Sequence, residues 1–338
     1  MSNRIPQSVP VRRQKAAGAR GGALVQRFGL VVAWLVIIAA FGILRPTTFL
    51  TIANLSTVLG SQAVIAVLTL ALLIPLTSGD MDLSIAFTLT LSSMLVAQLN
   101  VQFHWPILAA ILVAILVGAA IGTINGAVAT GMGIDPFIVT LGTGTFVGGI
   151  VLWISASNTV SGVSPALVRL VVADHFLGIP LEFYYSVALY ALVWYVFEYT
   201  RPGRLLLIVG RGRSVAHLSG IHVPAVRMAG FMASGALSAA AGVLYVGTTG
   251  AADPTSGTQF LLPAFAGAFL GATVIVPGKF NPWGSLIAVY FLVTGITGLQ
   301  MLGAEGFVQD LFYGGALVLA VSLSHVVRRR RALNDQSE

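Results

Sequence analysis

The chain contains no cysteine, which removes disulfides, thiolate nucleophiles and Cys-ligated zinc and leaves the redox compartment open. Charge is nearly as scarce. Asp, Glu, Lys and Arg make up 9% of 338 residues, against roughly a quarter in soluble domains. No long polar stretch separates the apolar runs, so a soluble fold would have no surface to offer water. A phosphate-cradling loop, GxxxxGK[ST], is also missing: the only Gly-Lys pair, Gly278-Lys279, is followed by Phe280 and has Thr273 where the first glycine belongs. His104, His175, His217, His222 and His325 are scattered without ligand spacing, so no metal site is expected. Nothing in the chain calls for a cofactor.

What is present is hydrocarbon. Hydrophobic residues make up 57% of the chain and mean hydropathy is +0.92. A helix needs about 20 mostly apolar residues to cross ~30 Å of lipid. Ten segments meet that length, near 28–44, 54–76, 82–99, 106–129, 136–156, 182–199, 227–248, 259–276, 283–303 and 307–326. The expectation is an all-α integral membrane protein of about ten spans, with irregular helices near 75–85 and 258–277. Its divisions are a disordered basic tail (1–26), a membrane domain (27–327) and a second short tail (328–338). Cleavage of a signal peptide is not expected, because the run from Phe28 to Leu44 is longer than a signal core and lacks a small-x-small site.

The net charge of +7 does not point to nucleic acid, since the basic residues sit at chain ends and in one loop without interleaved aromatics. It follows membrane topology instead. With both termini cytoplasmic, only Arg45 and Arg169 of 18 Lys and Arg fall outside, as the positive-inside rule requires of an even span count. Two loops stand out by length: 157–181, placed outside and long enough for a surface helix, and 200–226, placed inside and basic. Both are natural docking surfaces.

Helices associate in lipid through small residues that let backbones approach. Gly118, Gly122 and Gly126 recur at four-residue spacing, as do Gly144 with Gly148 and Gly267 with Gly271; these are read as packing faces, with a ligand path as the lesser alternative. Acidic groups within spans are costly and persist for function. Asp80 and Asp82, in PLTSGDMDLSIAF, are the main ones, with Glu198 and Asp310 near helix ends. Two readings stay open for the aspartates, and both can hold: they cap the third span, or Ser78-Gly79-Asp80 breaks a helix beside a solute path.

Three ordered blocks carry a family resemblance. SGDMDLS resembles the G-G-x-D-L-S signature of the monosaccharide-type permeases of ABC importers. INGAVATGMGIDPFIVTLGT, Ile124 to Thr143, is similar to their N-G-x-x-V-x-x-x-x-x-x-P-F-I-x-T-L-G block. RPGRLLLIVGRGRSVAHLSGIHV, Arg201 to Val223, is similar to their basic cytoplasmic loop. The resemblance implies a translocation path or motif set at Gly79, Asp80, Asp82, Leu83, Ser84, Asn125, Gly126, Pro136, Phe137 and Thr140. It also implies an ATPase-coupling loop at Gly210, Arg211, Arg213, Ala216, His217, Leu218, Ser219, Gly220 and Ile221. Gly212 and Ser214 depart from that loop's pattern, and Gln259 to Thr273 lacks the Glu of many sugar permeases.

The implied function is the permease subunit of an ATP-driven importer of a sugar-like solute in a cell inner membrane. It is not an enzyme, since ATP would be hydrolysed on a separate subunit. The implied partners are ABC ATPase subunits, an extracytoplasmic solute-binding protein and a second permease copy. An ion-coupled secondary carrier is the alternative; a membrane enzyme would need a His-carboxylate constellation that no spacing provides.

Overall fold

The computed structural model describes the backbone of residues 16–335 and the side chains of residues 27–322. Fourteen α-helices follow one another among the described residues. They are α1 (Ala16–Leu44), α2 (Ile52–Ser61), α3 (Ala63–Thr77), α4 (Ile85–Ala97), α5 (Ile107–Gly131), α6 (Pro136–Ile154), α7 (Pro165–Val168), α8 (Leu181–Tyr199), α9 (Arg201–Arg211), α10 (Arg213–Leu218), α11 (Val223–Thr249), α12 (Thr258–Gly271), α13 (Pro282–Met301) and α14 (Phe307–Asp335). Four two-residue strands form two small antiparallel ladders: β1 (Val160–Ser161) with β4 (Ala251–Ala252), and β2 (His175–Phe176) with β3 (Ile179–Pro180). Seven helical stretches are long and apolar enough to cross a membrane, and α12 and Phe307–Ser322 are shorter apolar helices. The protein is thus an all-α multi-pass membrane protein.

Helix ends follow local chemistry. Asp135 accepts the Phe137 N–H at 2.8 Å ahead of α6, with Pro136 at its first position. Asn281 accepts the Gly284 N–H at 2.8 Å ahead of α13, with Pro282 first. Such caps satisfy donors that the helix leaves free. Near β4, Asp253 accepts the hydroxyl and N–H of Thr255 and the Thr159 hydroxyl, which hold its carboxyl below the usual range.

α3 is the axis of the bundle, buried from Ala63 to Leu76 and packed by α8, α11, α12 and α13. A helix apolar on every side belongs there. α11 crosses both α3 and α5, and the glycine rows explain how. A Cβ on Gly118 would strike Gly235 and Ala239, one on Gly122 the Phe231 carbonyl, and one on Gly126 the Met228 backbone. Gly144 and Gly148 seat Phe87, and Gly271 lies on Ser285. All three rows are packing faces.

Some boundaries differ from the sequence reading. The run 54–76 is divided at Gln62 into α2 and α3, which lets Gly60 pass beneath Pro180 and Glu182. α1 begins at Ala16, within the segment expected as a tail; residues 1–15 lie outside the described residues. The tail 328–338 continues α14 as far as Asp335, and its side chains lie outside the described residues. The expected surface helix of the 157–181 loop is α7 with the π-helical turn Arg169–Ala173.

Replacing Gly122 with Leu overpacks the α5–α11 contact at a cost of about 1–3 kcal/mol or more. Thermal unfolding of the detergent-solubilised chain should show a clear fall in midpoint, while Gly131→Ala, in open space, should show none.

Candidate functional site

The site begins where α3 ends. Gly79 adopts the left-handed conformation, φ +78°. The Asp80 N–H donates to the Pro75 carbonyl at 3.0 Å and the Gly79 N–H to Leu76 at 3.1 Å, the paired bonds of a glycine-terminated helix. The turn leaves Asp80 immediately past the helix, with its side chain fully enclosed. A buried ionised carboxylate is costly unless cations and hydrogen bonds compensate it, and Asp80 has two cations. Arg227, in the first turns of α11, donates Nε to Oδ2 at 2.9 Å and Nη2 to Oδ1 at 2.7 Å. Arg213, which opens α10, donates Nη2 to Oδ1 at 2.7 Å. Ser78 Oγ adds a bond to Oδ2 at 3.0 Å.

Arg213 does more than pair with Asp80. The same nitrogen lies 3.2 Å from the Ser78 carbonyl and 3.1 Å from that of Gly79, so a positive charge sits on the carbonyl end of α3, where the helix dipole favours it. Gly210, at the end of α9, packs directly on the Thr77 carbonyl and leaves no room for a Cβ. The 200–226 segment is therefore fastened to the end of the axial helix.

A second polar node lies two residues on. Asp82 Oδ1 accepts the Ser84 N–H at 3.0 Å and the Ser84 hydroxyl at 2.6 Å; Oδ2 accepts the Ser234 hydroxyl from α11 at 2.8 Å. Asn125 of α5 donates to Ser84 Oγ at 2.9 Å, and Thr140 of α6 accepts the Leu83 N–H at 3.1 Å. The Asn125 Oδ1 atom is buried without a partner. The chain is non-helical between α3 and α4, and an aspartate also serves the entrance of α4, so the break and the cap occur together. Ser84, the N-cap of α4, makes no side-chain cap bond, and Asp82 serves the entrance by an Asx turn at Ser84.

The motif residues thus converge from the turn between α3 and α4 and from two helices, α5 and α6. Asp82, Leu83, Ser84, Asn125 and Thr140 share one node, and Gly79 and Asp80 the other. Gly126 supports them by packing on Met228. Pro136 opens α6, and Phe137 is exposed beside it. In the loop, Ala216 is buried against Val209 and Val223. Arg211, His217, Ser219 and Gly220 are exposed, Ile221 half-buried and Leu218 86% exposed. Gly220 turns the chain with φ +79° after α10. Arg227 and Ser234 were not singled out in the sequence. The signal for Arg227 was available, since Asp80 needed a cation and Arg227 follows the loop; Ser234 gave none.

Seven helical stretches long and apolar enough to cross a membrane, with the end of the axial helix clamped to the 200–226 segment, mark a multi-pass membrane protein. Residues 54–321 match the family described as the permease component of the branched-chain amino acid transport system. The D-allose transport system permease protein AlsC of Escherichia coli K12 is 32% identical over 303 residues, 90% of this chain and 93% of that protein. The ribose import permease protein RbsC of Bacillus subtilis 168 is 33% identical over 301 residues, 89% and 93% of the two chains. The autoinducer 2 import system permease protein LsrD of Photorhabdus laumondii is 30% identical over 301 residues, 87% and 89%. No solved structure matches the chain. The chain belongs to this permease family, the one whose monosaccharide-type members its three sequence blocks resemble.

Removing one partner of a buried ion pair costs about 3–5 kcal/mol. Asp80→Asn should lower the thermal midpoint clearly. In a double-mutant cycle with Arg227→Gln, the two losses should overlap by about 0.5–3 kcal/mol. Additive losses would mean that the pair is not formed in the membrane-embedded protein.

Proposed function

We propose that this chain is the membrane-spanning permease subunit of an ATP-driven importer for a sugar-like solute in a cell inner membrane, and that α9–α10 carries the ATPase's motion to the helix break. The observation that carries the coupling role is the Asp80 clamp: one carboxylate binds α10 through Arg213 and α11 through Arg227. A displacement of α10 must then move the end of α3 or break that ion pair. The family match and the sugar permeases among the relatives support the substrate class.

On this reading α8, α12 and α14 complete ten spans. α8 has the length but is rich in tyrosine and carries Glu182 and Glu198. α12 is short, and the irregular segment after it closes the remaining depth. Both termini then lie in the cytoplasm together with α9, α10 and the Lys279 turn. ATP is bound and hydrolysed on a partner subunit, and a solute-binding protein delivers cargo on the opposite face. α10 suits a docking role: Ala216 faces inward, whereas Val215 and Leu218 project outward, an apolar knob on a basic loop. The ion-coupled alternative finds little support at Asp80 or Asp82, since guanidinium groups occupy the first and hydroxyl and amide donors the second.

A second copy completes the path, and α6 is the face we assign to it. Ile138, Gly142, Thr145, Gly149 and Trp153 form an exposed stripe, and nothing approaches a Cβ on Gly142 or Gly149. Lipid-facing stretches of α5 expose Leu108, Leu112 and Leu116 instead. Small residues on an outer face are what close helix contact in lipid requires.

Purification of the tagged chain from its native membrane in mild detergent should recover a Walker-A ATPase at equal stoichiometry, and Leu218→Asp should reduce that recovery at least about tenfold while the permease stays monodisperse. Recovery of the chain alone, with uptake driven by an ion gradient and not ATP, would point to the secondary carrier. Because the chain has no native cysteine, Thr145→Cys supplies a unique thiol. Mild oxidation in membranes should convert it to a covalent dimer; exclusive monomer would move the contact off α6.

A further inference from the structure

A cleft of about 510 Å³ opens between the end of α3, the end of α9, the turn after α12 and the flank of α14. One wall is apolar, with Leu76, Phe269, Phe280 and Val321, beside Thr77 and the backbone of Gly79, Gly210 and Gly278, while Arg211 and Lys279 stand in the lining as exposed cations. Neither cation has an acidic partner among the described residues, where both ion pairs go to Asp80. Both are held on fixed backbone. Arg211 ends α9 one residue beyond the Gly210–Thr77 contact. Lys279 follows the tight turn in which Gly278, at φ +82°, donates its N–H to Ala272 at 2.8 Å and Lys279 its own to Val276 at 3.1 Å.

We infer that this cleft binds an anionic phospholipid, the phosphodiester lying between Arg211 and Lys279 and the first methylenes of its chains along the apolar wall. Arginine offers a planar fork to phosphate oxygens and lysine a point charge. The apolar wall gives a free sugar little to hydrogen-bond and gives a bare anion nothing beyond the two charges. A second groove of similar size, about 520 Å³ between α8, α9 and α11, has almost no polar lining and only Arg201 as a cation. It fits acyl chains without selecting a headgroup. The inference rests on the proposed orientation in one respect: with α9 and Lys279 in the cytoplasm, the site faces the inner leaflet, whose anionic lipids attract such residues. A lipid seated there touches the same α9 and α3 ends that the coupling loop is fastened to, and so would hold that loop in place.

The test uses the full chain in a neutral detergent, where both faces are accessible and orientation has no effect on the readout. Thermal midpoint is followed while dioleoylphosphatidylglycerol, dioleoylphosphatidylcholine or inorganic phosphate is titrated. The anionic dioleoylphosphatidylglycerol should raise the midpoint saturably, and the net-neutral phosphatidylcholine and inorganic phosphate should not. Arg211→Gln with Lys279→Gln should weaken the half-saturation about tenfold or more, given the usual contribution of each basic residue at an anionic surface. Arg201→Gln should leave it within about twofold. Lys279→Gln alone, an exposed loop change, keeps the comparison readable if the double variant does not fold. Equal stabilisation by phosphatidylcholine, a full effect from phosphate alone, or unchanged affinity in the variants would each overturn the inference. An inverted orientation would leave the binding intact and remove only the inner-leaflet role.

Discussion

A carboxylate shut away from water inside a mostly hydrocarbon protein has few stable arrangements, and the structure is built around one of them. Asp80 is fully enclosed and takes four hydrogen bonds, three of them from two guanidinium groups. Here that desolvation is offset by close, well-oriented cations, which bring three segments distant in sequence to one point. The helix turn at Gly79 presents the carboxylate, α10 arrives through Arg213 and α11 through Arg227. Because Arg213 also covers the carbonyl end of α3, the clamp and the helix terminus form one unit. The 200–226 segment is thereby tied to the most buried helix of the bundle.

Elsewhere the packing is nearly free of charge and relies on close approach. α11 lies against α5 with glycine on both sides, Gly118 and Gly122 facing Gly235 and Phe231. Contacts without side chains between them are stiff, since neither backbone can yield without opening a void. The polar node of Asp82, Ser84, Asn125, Thr140 and Ser234 is set within this packing and gives the break before α4 its hydrogen bonds. Irregular backbone at membrane depth requires such internal partners. On the proposed coupling role, these rigid contacts would carry a push along α11 from the Asp80 clamp.

How much of this was legible in the sequence depended on range. The glycine rows announced packing faces because their four-residue spacing is a property of one helix. SGDMDLS left two readings open, a cap on the third span or a helix break, because a glycine and two aspartates at the edge of an apolar run suit either. Asp80's partners were not legible as such, since Arg227 lies 147 residues away and in the sequence looked like one more basic residue of a positive-inside loop. Ser234 is one serine among several on α11 and became meaningful only when it met Asp82. The division of 54–76 at Gln62 gave no signal either, because glutamine within an apolar run is compatible with an unbroken helix, and the break accompanies the long-range packing of Gly60 beneath Pro180 and Glu182.

The central claim is that the Arg213–Asp80 contact passes motion from the coupling loop to the axial helix. The most direct measurement is the ratio of solute taken up to ATP hydrolysed by the assembled importer in proteoliposomes, comparing wild type with Arg213→Gln. Arg213 is 43% exposed against 11% for Arg227, so the variant should retain the fold and the Arg227 pair. The account predicts that the complex assembles and hydrolyses ATP while uptake per ATP falls several-fold. An unchanged ratio in a fully assembled complex would contradict it.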